Sequence, residues 1–255
     1  MEILATENEA KLEFDFTLFN PELVWEQYTT FEEEFIHYLR YVPLEDEHYN
    51  VYSMQLGNLL NNIGSIVDSF LNNAIGCDCL NDIQNIAKFR QKKDRNMEDH
   101  RKVFENFYNL SKKEIFILKD FSKITPFSNW KENQAIEWWG KYTDIKHDRF
   151  KNRKEATLKT TLDALGTLFL LNVIHLDTRA ILVRDGIIPS VVLNPYSPTG
   201  GREIFIRMSL KKEPLDGYGS IYAKTRLFGY VFESKFRKLN DNEKIGILSP
   251  YLGNW

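Results

Sequence analysis

Residues 138–150 read WWGKYTDIKHDRF and gather in one short stretch a histidine, two lysines, two aspartates and an arginine behind a pair of tryptophans. His147 sits between Lys146 and Asp148, with Lys141 six positions before it and Arg149 two after. Imidazole, with a reference pKa of about 6.5, gives or takes a proton near neutral pH, and lysine and arginine supply fixed positive charge beside it. The chemistry such a set suits is an anion site: His147 moving the proton, Arg149 clamping phosphate, Lys141 and Lys146 assisting, and Asp144 orienting one of them. The same residues also suit a packed corner. Trp138, Trp139 and Tyr142 are the kind of large aromatics that dominate cores, and a protonated His147 at a helix end interacts favourably with the dipole.

The elements that must position this stretch are mostly helical. In residues 22–40, Val24, Tyr28, Phe31, Phe35 and Leu39 recur at three- and four-residue steps between acids, which predicts an amphipathic helix. YSMQLGNLLNNIGSIVDSFLNNAI carries Leu56, Leu59, Leu60, Ile63, Ile66, Val67, Phe70 and Leu71 on one stripe and reads as a central helix. Gly57 and Gly64 lower its helicity by about 1 kcal/mol each relative to alanine, so close approach of a neighbouring helix is expected there. A polar stretch follows, then a helix carrying Val103, Phe104, Phe107 and Tyr108. EIFIL at 114–118 suits an extended segment. Asn129 with Glu132 three residues on resembles a helix start, so the helix that ends in WWGKYTDIKH is expected to run from there to Lys146. From Glu155 to Leu176 the apolar stripe widens to nearly every face, as in a helix buried at the centre of a bundle.

After residue 176 the character changes. RAILVRDG, IIPSVVLNP, REIFIRMSL and RLFGYVFES are short runs of branched and aromatic residues separated by turn signals, and Ile204, Ile206, Met208 and Leu210 alternate as in a half-buried strand. The expected organisation is a mainly α protein: a helical bundle over residues 1–176 and a small β-rich C-terminal extension, 177–255, packed against it.

With 255 residues, 43% of them hydrophobic and 14% aromatic, the chain can fill a sizeable core. No apolar run approaches the roughly 20 residues of a spanning helix and the acidic start lacks a signal-peptide pattern, so a cytoplasmic location is expected, with no membrane partner. Residues 1–50 hold 13 acids against Lys11 and Arg40, a balance of −11, so the remainder carries +8 of the net −3. Cys77 and Cys79, separated by one residue, cannot staple distant segments and read as reduced thiols near a helix end. With two thiols and five scattered histidines, no complete zinc site and no cofactor is expected. His37, His48 and His175 read as structural or surface residues. No phosphate-binding P-loop and no G-x-S-x-G nucleophile elbow occurs.

YSMQLGNLLNNIGSIVDSFLN, PFSNW and WWGKYTDIKHDRF followed by ATLKTTLDALGTLFLLNVI together resemble bacterial members of the HEPN superfamily, over roughly residues 45–176. Active members are helical bundles that cleave RNA without a metal, typically as dimers, with an arginine, a polar neighbour, and a histidine four to six positions after the arginine. Two segments match in part. KYTDIKH stands where the family keeps its motif, before the last long helix, but Lys141 replaces the arginine and loses its planar fork. RNMEDH has the family's letters in Arg95, Asn96 and His100 but precedes an earlier helix.

The resemblance therefore implies one of two functions. One is a metal-independent endoribonuclease of a bacterial defence or toxin–antitoxin system, acting on RNA as a homodimer that pairs two copies of His147 as acid and base. The other is a non-catalytic HEPN-like module that binds a partner protein, such as a cognate antitoxin, or an anionic ligand.

Overall fold

The computed structural model describes residues 20–77, 80–188, 221–232 and 238–249. Helix α1 (Pro21–Leu39) starts where Asn20 accepts from the Leu23 amide at 3.1 Å and Pro21 takes the first helical position. Helix α2 (Met54–Ala74) starts on Ser53, which accepts from the Leu56 amide at 3.1 Å, and α6 (Leu158–Ile174) on Thr157, which accepts from the Thr160 amide at 3.1 Å. Between them lie α3 (Ile86–Gln91), α4 (Met97–Tyr108) and α5 (Glu137–His147), followed after α6 by α7 (Leu176–Arg184) and near the end by α8 (Asp241–Leu248).

Helix α6 is the centre of the bundle, as its sequence predicts. It packs against α1, α2, α5, α7 and the sheet, and its Leu162, Leu165, Leu168, Phe169 and Leu170 are wholly buried. Polar side chains it takes inside donate to its own backbone: Thr161 to the Thr157 carbonyl at 2.9 Å, Thr167 to Asp163 at 2.8 Å and Asn172 to Leu168 at 2.8 Å. Gly64 of α2 explains itself here, because a Cβ on it would lie 2.5 Å from the Tyr142 ring of α5. The missing side chain is what lets α5 lie on α2, the close approach expected of the α2 glycines.

A four-stranded antiparallel sheet in the order β2-β1-β4-β3 covers one side of α6. Its strands are β1 (Ile115–Ile117), β2 (Lys123–Ile124), β3 (Ile221–Lys224) and β4 (Phe228–Phe232). Phe116 pairs with Gly229, so the central pair joins the middle of the chain to its last quarter. Alternate residues serve two cores: Ile115, Ile117 and Phe228 join the main one, while Phe116, Leu118 and Val231 pack on Leu248 of α8. Gly166 of α6 has Ile115 within 2.8 Å of where a Cβ would stand, so sheet and helix are in close contact.

Two expectations change. RAILVRDG is helical, forming most of α7 with Thr178, Arg179, Leu182 and Val183 buried, a spacing of one helical face rather than of a strand. The helix expected from Asn129 begins only at Glu137; Ser128–Glu132 is a 3-10 turn, and the Asn129 side chain donates to the Ala135 carbonyl at 3.1 Å instead of capping. The expected strand at 204–210 and most of IIPSVVLNP lie outside the described residues. RLFGYVFES supplies β4, and the predicted extended segment at 114–118 supplies β1.

Candidate functional site

Helix α5 is held by the burial of Trp138, Tyr142 and Ile145, and it delivers its last turn to the surface. Trp138 and Tyr142 are therefore core aromatics. Lys146, His147 and Asp148 are exposed, and Arg149 is half-buried. Asp148 caps the turn that follows, accepting from the Lys151 amide at 3.0 Å, and the Asp144 carbonyl accepts from the Asn152 side chain at 2.8 Å.

The charged side chains of this segment are engaged one by one and do not converge in a cleft. Lys141 pairs with Glu137 at 2.7 Å, one turn back on α5. Lys146 lies over the Tyr142 ring, 5.5 Å from its centre. Arg149 donates to the Asn58 side chain of α2 at 2.6 Å. Asp144 is exposed, and helical spacing puts it along the same side of α5 as Lys141 and His147. Beyond the helix, Phe150 is 83% exposed, and Lys151, Arg153 and Lys154 are exposed around it. Met54 and Tyr52 are also exposed, at 57% and 43%. Met54 is one turn before Asn58 on α2, and Tyr52 pairs with Thr157 at the start of α6. Residues 144–154 thus expose four cations, Lys146, Lys151, Arg153 and Lys154, with Asp144, Asp148 and Phe150 among them.

The second constellation, Arg95, Asn96 and His100, is built into the fold. Arg95 donates to the Asn72 carbonyl at 3.1 Å and the Asn72 side chain at 3.2 Å, and to the carbonyls of Phe89, Arg90 and Lys92 at 3.1, 3.2 and 2.9 Å. A guanidinium spread over the ends of α2 and α3 satisfies carbonyls that the helices leave open, and it leaves no fork for a phosphate. Asn96 is the N-cap of α4 in a reciprocal capping box: it accepts from the Asp99 amide and Asp99 accepts from the Asn96 amide, both at 3.0 Å. His100 is 1% exposed on the first turn of α4, and neither ring nitrogen has a hydrogen-bond partner among the described residues. Burial, and after it the charge of Arg95, push its imidazole down to about 4, so it is neutral at physiological pH.

Two arrangements were beyond sequence reading. A cavity of about 240 Å³ beside β4 is lined by Lys112, Lys113, Lys238 and Lys244 with Glu114 among them. Its charge is partly cancelled from within, since Lys244 pairs with Glu114 at 2.6 Å. The other joins Cys77, just past the end of α2, to His175 and Asp177 at the α6–α7 corner; one ligand atom from each lies within 4.8 Å of the other two. His175 thus has company that its surroundings in sequence do not announce, and only a fold that brings α2 onto α6 reveals it.

No protein-family model, curated protein or solved structure matches this chain. Its function must be argued from its own residues.

Proposed function

We propose that this chain is a HEPN-like module that binds single-stranded RNA, without cleaving it, through the surface at the end of α5. The observation that carries this reading is Phe150, 83% exposed and flanked in sequence by Arg149 and Lys151, with Lys146, Arg153 and Lys154 close by in the chain. An exposed aromatic offers a stacking platform to any base, and the surrounding cations follow the phosphates. Binding without cleavage is favoured because the motif that cleaves RNA in active HEPN members sets a histidine beside an arginine free to hold phosphate. His100 is enclosed and Arg95 spends its donors on carbonyls, while Arg149 is turned to Asn58 and Lys141 to Glu137.

Fluorescence anisotropy of a labelled single-stranded RNA tests this, run at several salt concentrations with EDTA present. Affinity should fall steeply with salt; Phe150→Ala should weaken it roughly tenfold through lost stacking, and Lys151→Glu should reduce the salt dependence. RNA recovered at the end should be intact. The endoribonuclease reading rests on one observation, the exposed His147 between Lys146 and Asp148 with Arg149 next. Products with 2′,3′-cyclic phosphate ends, lost in His147→Ala, would establish cleavage and overturn the binding-only proposal.

A further inference from the structure

We propose that Cys77, His175 and Asp177 form a binding site for a divalent metal ion of the zinc class, at the junction where α2 ends and α6 turns into α7. A thiolate sulfur, an imidazole nitrogen and a carboxylate oxygen are the three donor types that zinc takes, and here they come from segments about a hundred residues apart. Their ligand atoms already lie within 4.8 Å of one another. Tetrahedral coordination at metal–ligand distances of about 2.0–2.3 Å places such atoms about 3.3–3.6 Å apart, so closure on an ion takes rotamer adjustments and no movement of the helices.

The surroundings hold two of the three ligands in place. Arg90 donates to the Ile75 carbonyl at 2.9 Å and to the Cys77 carbonyl at 2.8 Å, which fixes the loop bearing the thiol. His175 is 1% exposed and stands between α6 and α7, whose axes differ by 87°. Its ring meets Phe70 edge-on, with centres 5.3 Å apart and planes at 81°, which restricts its orientation. Asp177 is exposed, so an ion enters from the solvent side and keeps an open coordination position there.

Electrostatics favour a cation. Thiolate and carboxylate carry two negative charges, which match a divalent ion, and α2 and α6 both end at the site, with the negative ends of their dipoles toward it. Arg90 offsets part of that at α2, and the start of α7 opposes it. The same three residue types also make a cysteine nucleophile with its base and orienting acid. That use calls for an enclosed carboxylate to hold the imidazole; here the carboxylate is exposed.

The test uses the full chain, stripped of metal, in a Cys79→Ser background so that the other thiol cannot contribute. Cobalt(II) should produce visible ligand-field bands of tetrahedral intensity and a near-ultraviolet thiolate charge-transfer band, saturating at one ion per chain. Zinc should displace it and raise Tm by roughly 5–10 °C at a hundredfold excess over Kd. Cys77→Ser should abolish the charge-transfer band. Asp177→Asn, at an exposed position that leaves folding intact, should weaken zinc at least tenfold, and His175→Asn should do so more strongly wherever that variant folds. Absence of the cobalt bands overturns the proposal, and so does zinc affinity unchanged in Asp177→Asn. A band that survives Cys77→Ser places any bound metal elsewhere and equally overturns it.

Discussion

His100 should make the protein acid-sensitive over a defined pH range. Its imidazole is enclosed with both ring nitrogens unpartnered among the described residues and is pushed from the ordinary 6.5 down to about 4, by burial first and by Arg95 second. In the unfolded chain it takes a proton near 6.5; in the folded chain it resists until about 4. Between those values the unfolded state binds more protons, so stability is complete above about 6.5 and falls as the pH drops toward 4. At about 1.4 kcal/mol for each tenfold difference in proton affinity, the full loss from this residue is about 3 kcal/mol. Other groups titrate in the same range, so the assay is a comparison: urea denaturation of the wild type and His100→Leu at pH 7 and at pH 4. Leucine fills a similar volume and carries no proton, and it removes two polar atoms that no partner satisfies. The variant should match or exceed the wild type at pH 7 and gain about 3 kcal/mol on it by pH 4. Parallel pH profiles for the two proteins would refute the reasoning, and would mean that His100 is reached by solvent in the folded state.

Three further outcomes follow from packing. Leu165→Asp, at a wholly buried position of α6, should cost about 4 kcal/mol or more and appear as a collapsed thermal transition or insoluble protein, because it leaves an unpaired charge in the core. Gly64→Val should separate α5 from α2, since its Cβ would meet the Tyr142 ring at 2.5 Å, with a loss of about 2–3 kcal/mol in urea denaturation; Gly140→Ala, where nothing lies within 4 Å of the added Cβ, should be neutral or stabilising. Glu32 is buried in α1 and accepts from Tyr28, Thr225 and the Leu227 amide, and burial raises its carboxyl pKa. Glu32→Ala should lose about 3 kcal/mol by stranding those donors, whereas Glu32→Gln, which keeps an acceptor and has no charge to bury, should stay within about 1 kcal/mol of the wild type at pH 7 by calorimetry.

The helices that form the bundle were legible because each buries one face of regular spacing. Leu56, Leu60, Ile63, Val67 and Phe70 declare α2, and the all-round apolar character of 158–174 declares the central place of α6. The run AILV at 180–183 misled because four consecutive apolar residues carry no period; the helix is decided by the corner at His175 and by packing against α1 and α6. β1 shows no alternation for a different reason, since both faces of the sheet are covered. At the candidate sites, residue letters were a poor guide to role. Asn96 followed by Asp99 is a capping signature as well as part of a nuclease-like motif, and the fold uses it as the former. Arg95 serves carbonyls of α2 and α3 that sequence cannot place near it. The gathering of Cys77 with His175 and Asp177 depends on contacts a hundred residues apart, which no local pattern encodes.

The pairing of β1 with β4 also sets an order of events during synthesis. Phe116 emerges from the ribosome more than a hundred residues before its partner Gly229. At about 5–20 residues per second the growing chain carries an unpaired β1 edge and a bare apolar face for roughly 6–23 s. During that interval α6 can cover Ile115 and Ile117, but Phe116 and Leu118 wait for β4 and α8. Chains arrested before residue 221 should therefore be cleaved by protease near residue 116 and protected once β4 and α8 have both emerged.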